Sequence, residues 1–328
     1  MNKGGNFLQH ILKGIIAIVC LIILGIVAYL MMTPQDTAPQ AQTRQVTDAT
    51  GQVLTIPVHP QRVVFLNVSN LDLYYAAGGR DTIAGKPTSD SMLPELADAM
   101  KDVPAVGIIH SPNMETILAL KPDLVIGVNV PFHNQIRQTL EQNGIPLYIN
   151  SFDSLEDTEK TLRFFGELTG KEEEANARAD EIQKRCDVVV EAASHETSPR
   201  SLIVFSSPES NNMATSYSFS GDLLKRLHGI NIADLDSSLQ GPYVPLSMEY
   251  VIKNDPQAIF IISMGQSADE LQRFRQSMND SDAWSQVTAV REGRVYELPA
   301  RLFTVNPGSH IADAMEYMSR CLYQGGTL

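Results

Sequence analysis

The distribution of hydrophobic and polar positions divides the chain into an apolar N-terminal segment and an alternating body. Residues 14–33 carry no charge and are mostly Ile, Leu, Val, Ala and Met. About twenty helical residues rise roughly 30 Å, enough to cross the hydrocarbon core of a bilayer. The pattern predicts a transmembrane helix over residues 14–33. The Pro-, Gln- and Thr-rich residues 34–45 that follow are typical of a tether.

Basic residues lie on one side of this apolar segment. Lys3 and Lys13 precede it, and no basic residue follows until Arg44. The positive-inside rule places residues 1–13 in the cytoplasm and the rest of the chain outside the cell membrane. We therefore expect an extracytoplasmic protein held by a single-pass anchor.

Two other readings of the N-terminus are weaker. A cleaved signal peptide would have a shorter apolar region, and no small-x-small cleavage site follows Met32. A lipid-anchored form would use Cys20 as its acceptor, but that site requires a small residue just before the Cys, and Val19 is not small. The sequence favours a retained helix over both alternatives.

The body alternates short apolar runs with helical stretches. Residues 46–153 and 197–328 both show this alternation, which is typical of a mostly parallel α/β sheet. Residues 154–196 between them lack strand signals and are rich in Glu, Lys, Ala and Arg. Here Ser154 is expected to cap a first helix, and residues 171–193 are long enough for a second helix of about 35 Å. We predict two α/β lobes joined by a long bridging helix.

A short pattern recurs in both lobes. Glu115 and Glu249 each follow a Met, begin an apolar helical segment, and precede a Pro at the same distance, Pro122 and Pro256. A buried strand is expected directly after each Pro. The repeat indicates that the two lobes are similar and face each other across a cleft.

Composition narrows the function classes. The formal net charge is −13, which disfavours binding to nucleic-acid phosphates. The three cysteines form no CxxC or Cys/His cluster, and a bridge between Cys186 and Cys321 is left open by the sequence. Motifs for a nucleophile elbow, a zinc protease, a Walker loop or a dinucleotide site are not found, so an enzyme is not expected. A membrane-anchored ligand sensor is the alternative of another class.

Three segments resemble one protein family. Residues 106–128 (VGIIHSPNMETILALKPDLVIGV), 46–64 and 302–324 are similar to ABC-transporter periplasmic binding proteins for metal chelates. The resemblance implies two lobes joined by a rigid helix, and a ligand that is haem, cobalamin or a ferric siderophore. It also implies an ABC permease and its ATPase as partners, with Glu115 and Glu249 docking into the permease. No catalytic cofactor is implied.

Ligands of open parallel sheets bind beyond the carboxyl ends of the strands. His110 follows the run AVGII, with Ser111 expected to cap a helix that begins at Pro112, and Met264 follows AIFIIS. Haem iron accepts His and Met as axial ligands. The chain most resembles haem-binding lipoproteins of Gram-positive haem uptake, with His110 where that subgroup has Met and Met264 where it has His. We therefore expect haem, held by His110 and Met264.

Other residues are candidates for the same pocket. His133 is the rival iron ligand, and Tyr217 could supply a phenolate. The candidate lining and propionate-binding residues are Ser69, Met213, Tyr217, Tyr243 and Arg301. Cobalamin or a ferric siderophore is the alternative ligand.

Overall fold

The computed structural model describes residues 22–24, 42–207, 210–263 and 268–325. Of the expected anchor, only residues 22–24 are among them, and they are helical. Within these ranges no helix is both long and apolar enough to cross a membrane. The predicted transmembrane helix thus falls almost wholly outside the described residues. The body, Gln42–Leu328, forms a compact unit of its own.

The body alternates strands and helices. Its strands are β1 Thr43–Thr47, β2 Val53–Pro57, β3 Val63–Phe65, β4 Ile83–Gly85, β5 Gly107–Ile108, β6 Ser111–Pro112, β7 Leu124–Val128, β8 Leu147–Asn150, β9 Arg200–Ser206, β10 Asn211–Ala214, β11 Ile230–Asn231, β12 Tyr243–Pro245, β13 Ala258–Ser263 and β14 Val295–Glu297. Its helices are α1 Val68–Ala76, α2 Pro94–Ala99, α3 Met114–Ala119, α4 Pro131–Gln142, α5 Leu155–Thr169, α6 Glu172–Ser194, α7 Phe219–Arg226, α8 Met248–Asn254, α9 Ala268–Asn279, α10 Thr288–Arg291, α11 Ala300–Phe303 and α12 Ile311–Gln324. An α/β fold with parallel pairing was the prediction, and it is confirmed.

The N-terminal lobe is built on a four-stranded parallel sheet of order β4-β3-β7-β8. Along β3, Val63 and Phe65 pack into one core, while Val64 packs into another on the opposite face. Side chains of a strand alternate between faces, so an all-apolar strand is stable only when both faces are covered. Helices therefore lie on both sides of this sheet.

The C-terminal lobe has the predicted mostly parallel sheet, with one antiparallel strand, β10. Its sheet runs β12-β10-β9-β13-β14, with β11 beside the start of β9. The β9, β11, β13 and β14 pairings are parallel, but β10 pairs antiparallel with both β9 and β12. Only residues 207–210 separate β9 from β10. Such a connection is too short for a crossover, so the chain turns back as a hairpin.

Two helices lie between the lobes in sequence. In α5, the Ser154 side chain accepts a hydrogen bond from Asp157 N, which is the predicted cap. The Asp157 carboxylate accepts in turn from Ser154 N, which completes a capping box. Gly170 ends α5 at φ +69°, a left-handed conformation that suits glycine. The helix α6 then runs for 23 residues, about 35 Å, and packs against α5 and α12. The predicted long helix is thus present, within one residue of the expected bounds.

Residues 304–310 connect the two lobes through buried hydrogen bonds. Ser69 Oγ on α1 donates to Asn306 O at 2.7 Å, and Asn306 Nδ2 donates to Thr158 Oγ1 on α5 at 3.0 Å. Ser309 N donates to the buried carboxylate of Asp72 at 2.6 Å. These contacts fix the floor of the cleft between the lobes.

The cysteine question left open by the sequence is answered by the fold. Cys186 on α6 and Cys321 on α12 are both buried free thiols. Each packs into the core that α6 and α12 share. They contribute as small apolar side chains, and no bridge joins them.

Candidate functional site

A cleft of about 460 Å³ opens where the two lobes meet. On the N-terminal side it is lined by the residues that follow β3, β7 and β8, which is the carboxyl edge of the sheet. On the other side it is lined by the start of α7, by β12 and by residues 303–306. The lining residues are Asn67, Ser69, Ile109, Val128, Asn129, Val130, Asn150, Ser151, Phe152, Asp153, Ser218, Phe219, Ser220, Pro242, Tyr243, Phe303, Thr304, Val305 and Asn306. A site at the strand ends between the lobes, as predicted, would lie in this cleft.

Three asparagines form a hydrogen-bonded chain at the N-terminal wall. Asn150 Nδ2 donates to Asn70 Oδ1 at 2.6 Å, and Asn70 Nδ2 donates to Asn67 Oδ1 at 2.7 Å and to Gly127 O at 3.0 Å. Asn70 is fully buried, whereas Asn67 and Asn150 reach the cleft. We call this chain the amide relay. It ties together the ends of β3, β7 and β8.

The opposite wall offers apolar rings and neutral hydroxyl groups. Phe219 and Phe303 pack 6.3 Å apart between ring centroids, and Tyr243 packs 4.8 Å from Phe205. Desolvation by the cleft wall, with a smaller contribution from Asp153, raises the pKa of Tyr243 to about 12. Its phenol stays protonated at neutral pH and can donate a hydrogen bond. A planar apolar ligand with peripheral hydrogen-bond acceptors suits such walls.

A second, larger cavity of about 970 Å³ adjoins the cleft and shares Asp153 and Pro242 with it. Five carboxylates line it: Asp153, Asp157, Asp222, Asp234 and Asp236. Tyr217, a predicted pocket residue, lies here with 67% of its side chain exposed. Among the described lining residues of the two cavities, none is Lys, Arg or His. The approach to the cleft is therefore acidic and disfavours strongly anionic ligands.

His110 occupies a tight hairpin instead of the end of a sheet strand. Strands β5 and β6 pair antiparallel, and Ile109 and His110 form the turn between them. The expected cap at Ser111 is wrong, because Ser111 and Pro112 are in β6 and Asn113 caps the helix that begins at Met114. The exposed His110 ring lies 5.3 Å from the Phe132 ring, and its neighbour Ile109 lines the cleft. His110 is thus at the rim of the cleft.

The second predicted iron ligand, Met264, lies outside the described residues. The strand that leads to it, β13, ends at Ser263, whose carbonyl accepts a hydrogen bond from Thr304 Oγ1 at 3.2 Å. Thr304 lines the cleft. The strand therefore ends next to the cleft wall, and the position of Met264 itself is not described.

His133, the rival ligand, is fully buried on α4. Its Nδ1 accepts a hydrogen bond from Val128 N at 3.0 Å, and Nε2 has no hydrogen-bond partner among the described residues. Burial lowers the pKa of His133 to about 4. The neutral ring fastens the end of β7 to α4, and it is not among the residues that line the cleft.

The remaining predicted pocket residues are dispersed. Ser69 lines the cleft, but its hydroxyl donates to Asn306 O. Met213 is 1% exposed and packs in the core of the C-terminal lobe, because it is in β10 and not in a loop. Arg301 is exposed on α11 and is not among the described lining residues of either cavity. Of this group, Ser69 and Tyr243 line the cleft, and Tyr217 lines the acidic cavity.

The paired glutamates occupy equivalent places in the two lobes. Glu115 and Glu249 are exposed residues in the first turns of α3 and α8. Each helix is capped by the residue before its Met, whose side chain accepts from the third backbone N–H. The residues before the two prolines, Lys121 and Asp255, both adopt positive φ. The sequence repeat is therefore also a structural repeat.

Sequence reasoning missed the amide relay. Part of the signal was present, because two members of the relay, Asn67 and Asn150, stand at the ends of the apolar runs that form β3 and β8. Polar residues at strand ends in one parallel sheet share an edge. An Asn alone has little chemical specificity, so the pattern was easily overlooked.

Comparison with known proteins places the chain in a family. The family model described as periplasmic binding protein matches residues 63–302. The high-affinity heme uptake system protein IsdE of Staphylococcus aureus (strain MRSA252) is 25% identical over 289 residues, 88% of this chain and 93% of that protein.

Solved structures agree. The crystal structure of S. aureus IsdE complexed with heme has a TM-score of 0.69 and 26% identity, and covers 80% of this chain and 98% of that one. The petrobactin-binding protein YclQ from Bacillus subtilis has a TM-score of 0.71 at 19% identity, covering 88% and 99%, which is a likeness of fold alone. The family resemblance predicted from the sequence is confirmed: the chain belongs to the periplasmic binding proteins, which are substrate-binding proteins of ABC importers and not enzymes.

Proposed function

We propose that this protein captures haem in the cleft between its lobes and delivers it to an ABC importer. The observation that carries the proposal is the similarity, at 25–26% identity over most of both chains, to a haem uptake protein and its haem complex. The cleft supports it, with aromatic walls and neutral hydrogen-bond donors suited to a planar macrocycle.

Two residues are proposed as axial ligands of the haem iron. His110 is an exposed imidazole on a hairpin at the rim of the cleft, so it could turn toward a bound iron without disturbing the core. Met264 follows β13, which ends beside cleft residue Thr304. One ligand would then come from each lobe, and haem would bridge them.

Cobalamin is the second candidate ligand. The described cleft lining has amides and hydroxyls but no cationic side chain, and the adjoining cavity is acidic. Neutral amide groups on a corrin ring suit such a lining better than a polyanionic ferric siderophore does. A siderophore ligand is accordingly the least favoured of the three.

Delivery would use the two exposed glutamates. Glu115 and Glu249 start equivalent helices on the two lobes and are free to meet basic sockets of a permease. Complementary charges of this kind set orientation and encounter rate. The permease and its ATPase would lie in the membrane to which residues 14–33 anchor the chain from outside. The long α6 helix between the lobes favours small movements on binding.

The test is an absorbance titration of the full chain in detergent with haemin and, separately, with cyanocobalamin. We expect haemin to give a low-spin His/Met spectrum that His110→Ala and Met264→Ala each change. His195→Ala, at the exposed end of α6, is the matched control and should leave the spectrum as it is. If haemin leaves the spectrum unshifted while cyanocobalamin binds, the haem assignment is wrong.

A further inference from the structure

The amide relay leaves two polar groups without partners in the cleft. Asn67 Nδ2 and Asn150 Oδ1 make no hydrogen bond to any described residue, although both side chains line the cleft and are only 5% exposed. Neither atom is among the buried unpaired polar atoms of the described residues, so both open onto the cleft. Water or a ligand in the cleft can therefore supply their hydrogen-bond partners.

A backbone carbonyl fixes which atom each amide presents. Gly127 O can only accept, so the Asn70 atom that faces it must be the NH₂ group. That same NH₂ group also contacts Asn67, which must then turn its oxygen inward. Asn70 Oδ1 in turn accepts a hydrogen bond from the NH₂ group of Asn150. The free ends are consequently a donor at Asn67 and an acceptor at Asn150, and neither amide can flip without losing a bond.

We infer that Asn67 and Asn150 form a subsite for a peripheral acyl group of the bound tetrapyrrole, with Asn67 Nδ2 donating to the acyl oxygen. This inference rests on the proposed function, because it takes the ligand to be a tetrapyrrole. Asn70 is a positioning residue, since it is fully buried and acts only through its two neighbours.

The chemistry required of the ligand is an acyl oxygen at the edge of the ring. A haem propionate and a cobalamin propionamide both carry one. A propionamide would satisfy both free ends, because it accepts from Asn67 and donates to Asn150. A propionate would accept from Asn67 and leave Asn150 to a water molecule. The protonated phenol of Tyr243 is a further neutral donor in the cleft lining.

Two substitutions at Asn67 distinguish the loss of the hydrogen-bond donor from the effect of an added negative charge. Asn67→Asp keeps the oxygen that accepts from Asn70 but presents a carboxylate to the ligand in place of a donor. Asn67→Leu removes the donor at similar volume without adding charge. Asn143→Asp and Asn143→Leu, at the exposed end of α4, are the matched controls. Thermal melting checks that all four variants fold.

Affinities of the full chain and the variants would be measured for haemin, haemin dimethyl ester and cyanocobalamin. We expect both Asn67 variants to bind about tenfold or more weakly to whichever tetrapyrrole the unmodified chain binds. The lost hydrogen-bond energy, about 1.4 kcal/mol or more, corresponds to that change in affinity. If haem is the ligand, Asn67→Leu should cost more for haemin than for its dimethyl ester. The Asn143 variants should stay within about twofold of the unmodified chain.

The outcomes separate the two claims. Tight binding of a tetrapyrrole with less than a threefold loss in both Asn67 variants would overturn the subsite and leave the proposed function intact. Binding of none of the three compounds would overturn the proposed function, and the subsite with it.

Discussion

Gly308 lies where residues 308–310 pack against Asp72 on α1. Its φ is +62°, and a Cβ placed on it would be 2.4 Å from Asp72 Oδ2 and 3.0 Å from Asp72 Cγ. The left-handed conformation costs a residue with a side chain about 1–2 kcal/mol, and forcing a methyl into a packed site costs about 1–3 kcal/mol more. Reduced freedom of the unfolded chain returns about 0.5 kcal/mol. We expect Gly308→Ala to lower the free energy of unfolding by roughly 2–4 kcal/mol.

The assay is urea unfolding at neutral pH followed by Trp fluorescence. The control is Gly144→Ala, because Gly144 has φ +72° and a Cβ placed on it would meet nothing within 4 Å, so only backbone strain acts there. It should cost about 1 kcal/mol. In an Asp72→Ala background the crowding carboxylate is absent, and the cost of Gly308→Ala should also fall to about 1 kcal/mol.

If Gly308→Ala costs no more than Gly144→Ala, or costs the same with and without the Asp72 side chain, then Asp72 does not crowd this position. The contact between α1 and residues 308–310 would then be looser than its distances indicate.

Three further predictions follow from charges and burial. Burial lowers the pKa of His133 to about 4, so between about pH 6.5 and 4 the unfolded chain binds a proton that the folded chain does not. The free energy of unfolding should therefore drop by roughly 3 kcal/mol as the pH falls through that window. His133→Gln should remove this pH dependence in urea titrations at several pH values. Arg137→Met leaves the Asp48 carboxylate without its buried guanidinium partner at 2.5 Å. Calorimetry should show a loss of about 3 kcal/mol in the free energy of unfolding, and a loss below about 1 kcal/mol would contradict this. Replacing both Glu115 and Glu249 by Ala should leave ligand affinity unchanged but reduce permease-dependent uptake in proteoliposomes roughly tenfold. Unchanged uptake would argue against docking through the helices that these residues begin.

Features that depend on neighbouring residues could be predicted from the sequence. The cap at Ser154, the stop at Gly170 and the long α6 helix all follow from local backbone preferences, and the structure confirms them. The repeat around Glu115 and Glu249 was also visible, because the same spacing produces the same capped helix and Pro turn in each lobe.

Features that depend on what packs against a segment could not be predicted. The apolar run before His110 looks like a sheet strand, yet it ends in β5 of the short β5–β6 hairpin. Gly107, at φ +98°, has no Cβ to clash with Ser111 O across this hairpin. The predicted pocket residue Met213 is in the core because β10 folds back on β9. His133 was the rival iron ligand, but its place on α4 buries it against Gly127.

The α/β class, the bridging helix, the family and the acidic character of the chain are all legible in its amino-acid sequence. Which polar groups meet in the cleft depends instead on how the strands pack side by side. Asn67, Asn70 and Asn150 become a directional relay only when β3, β7 and β8 lie side by side, because Asn150 is far from the other two in the chain. Local preferences act over one helical turn or one hairpin, whereas the polarity of a binding site is set by hydrogen bonds between strands distant in sequence.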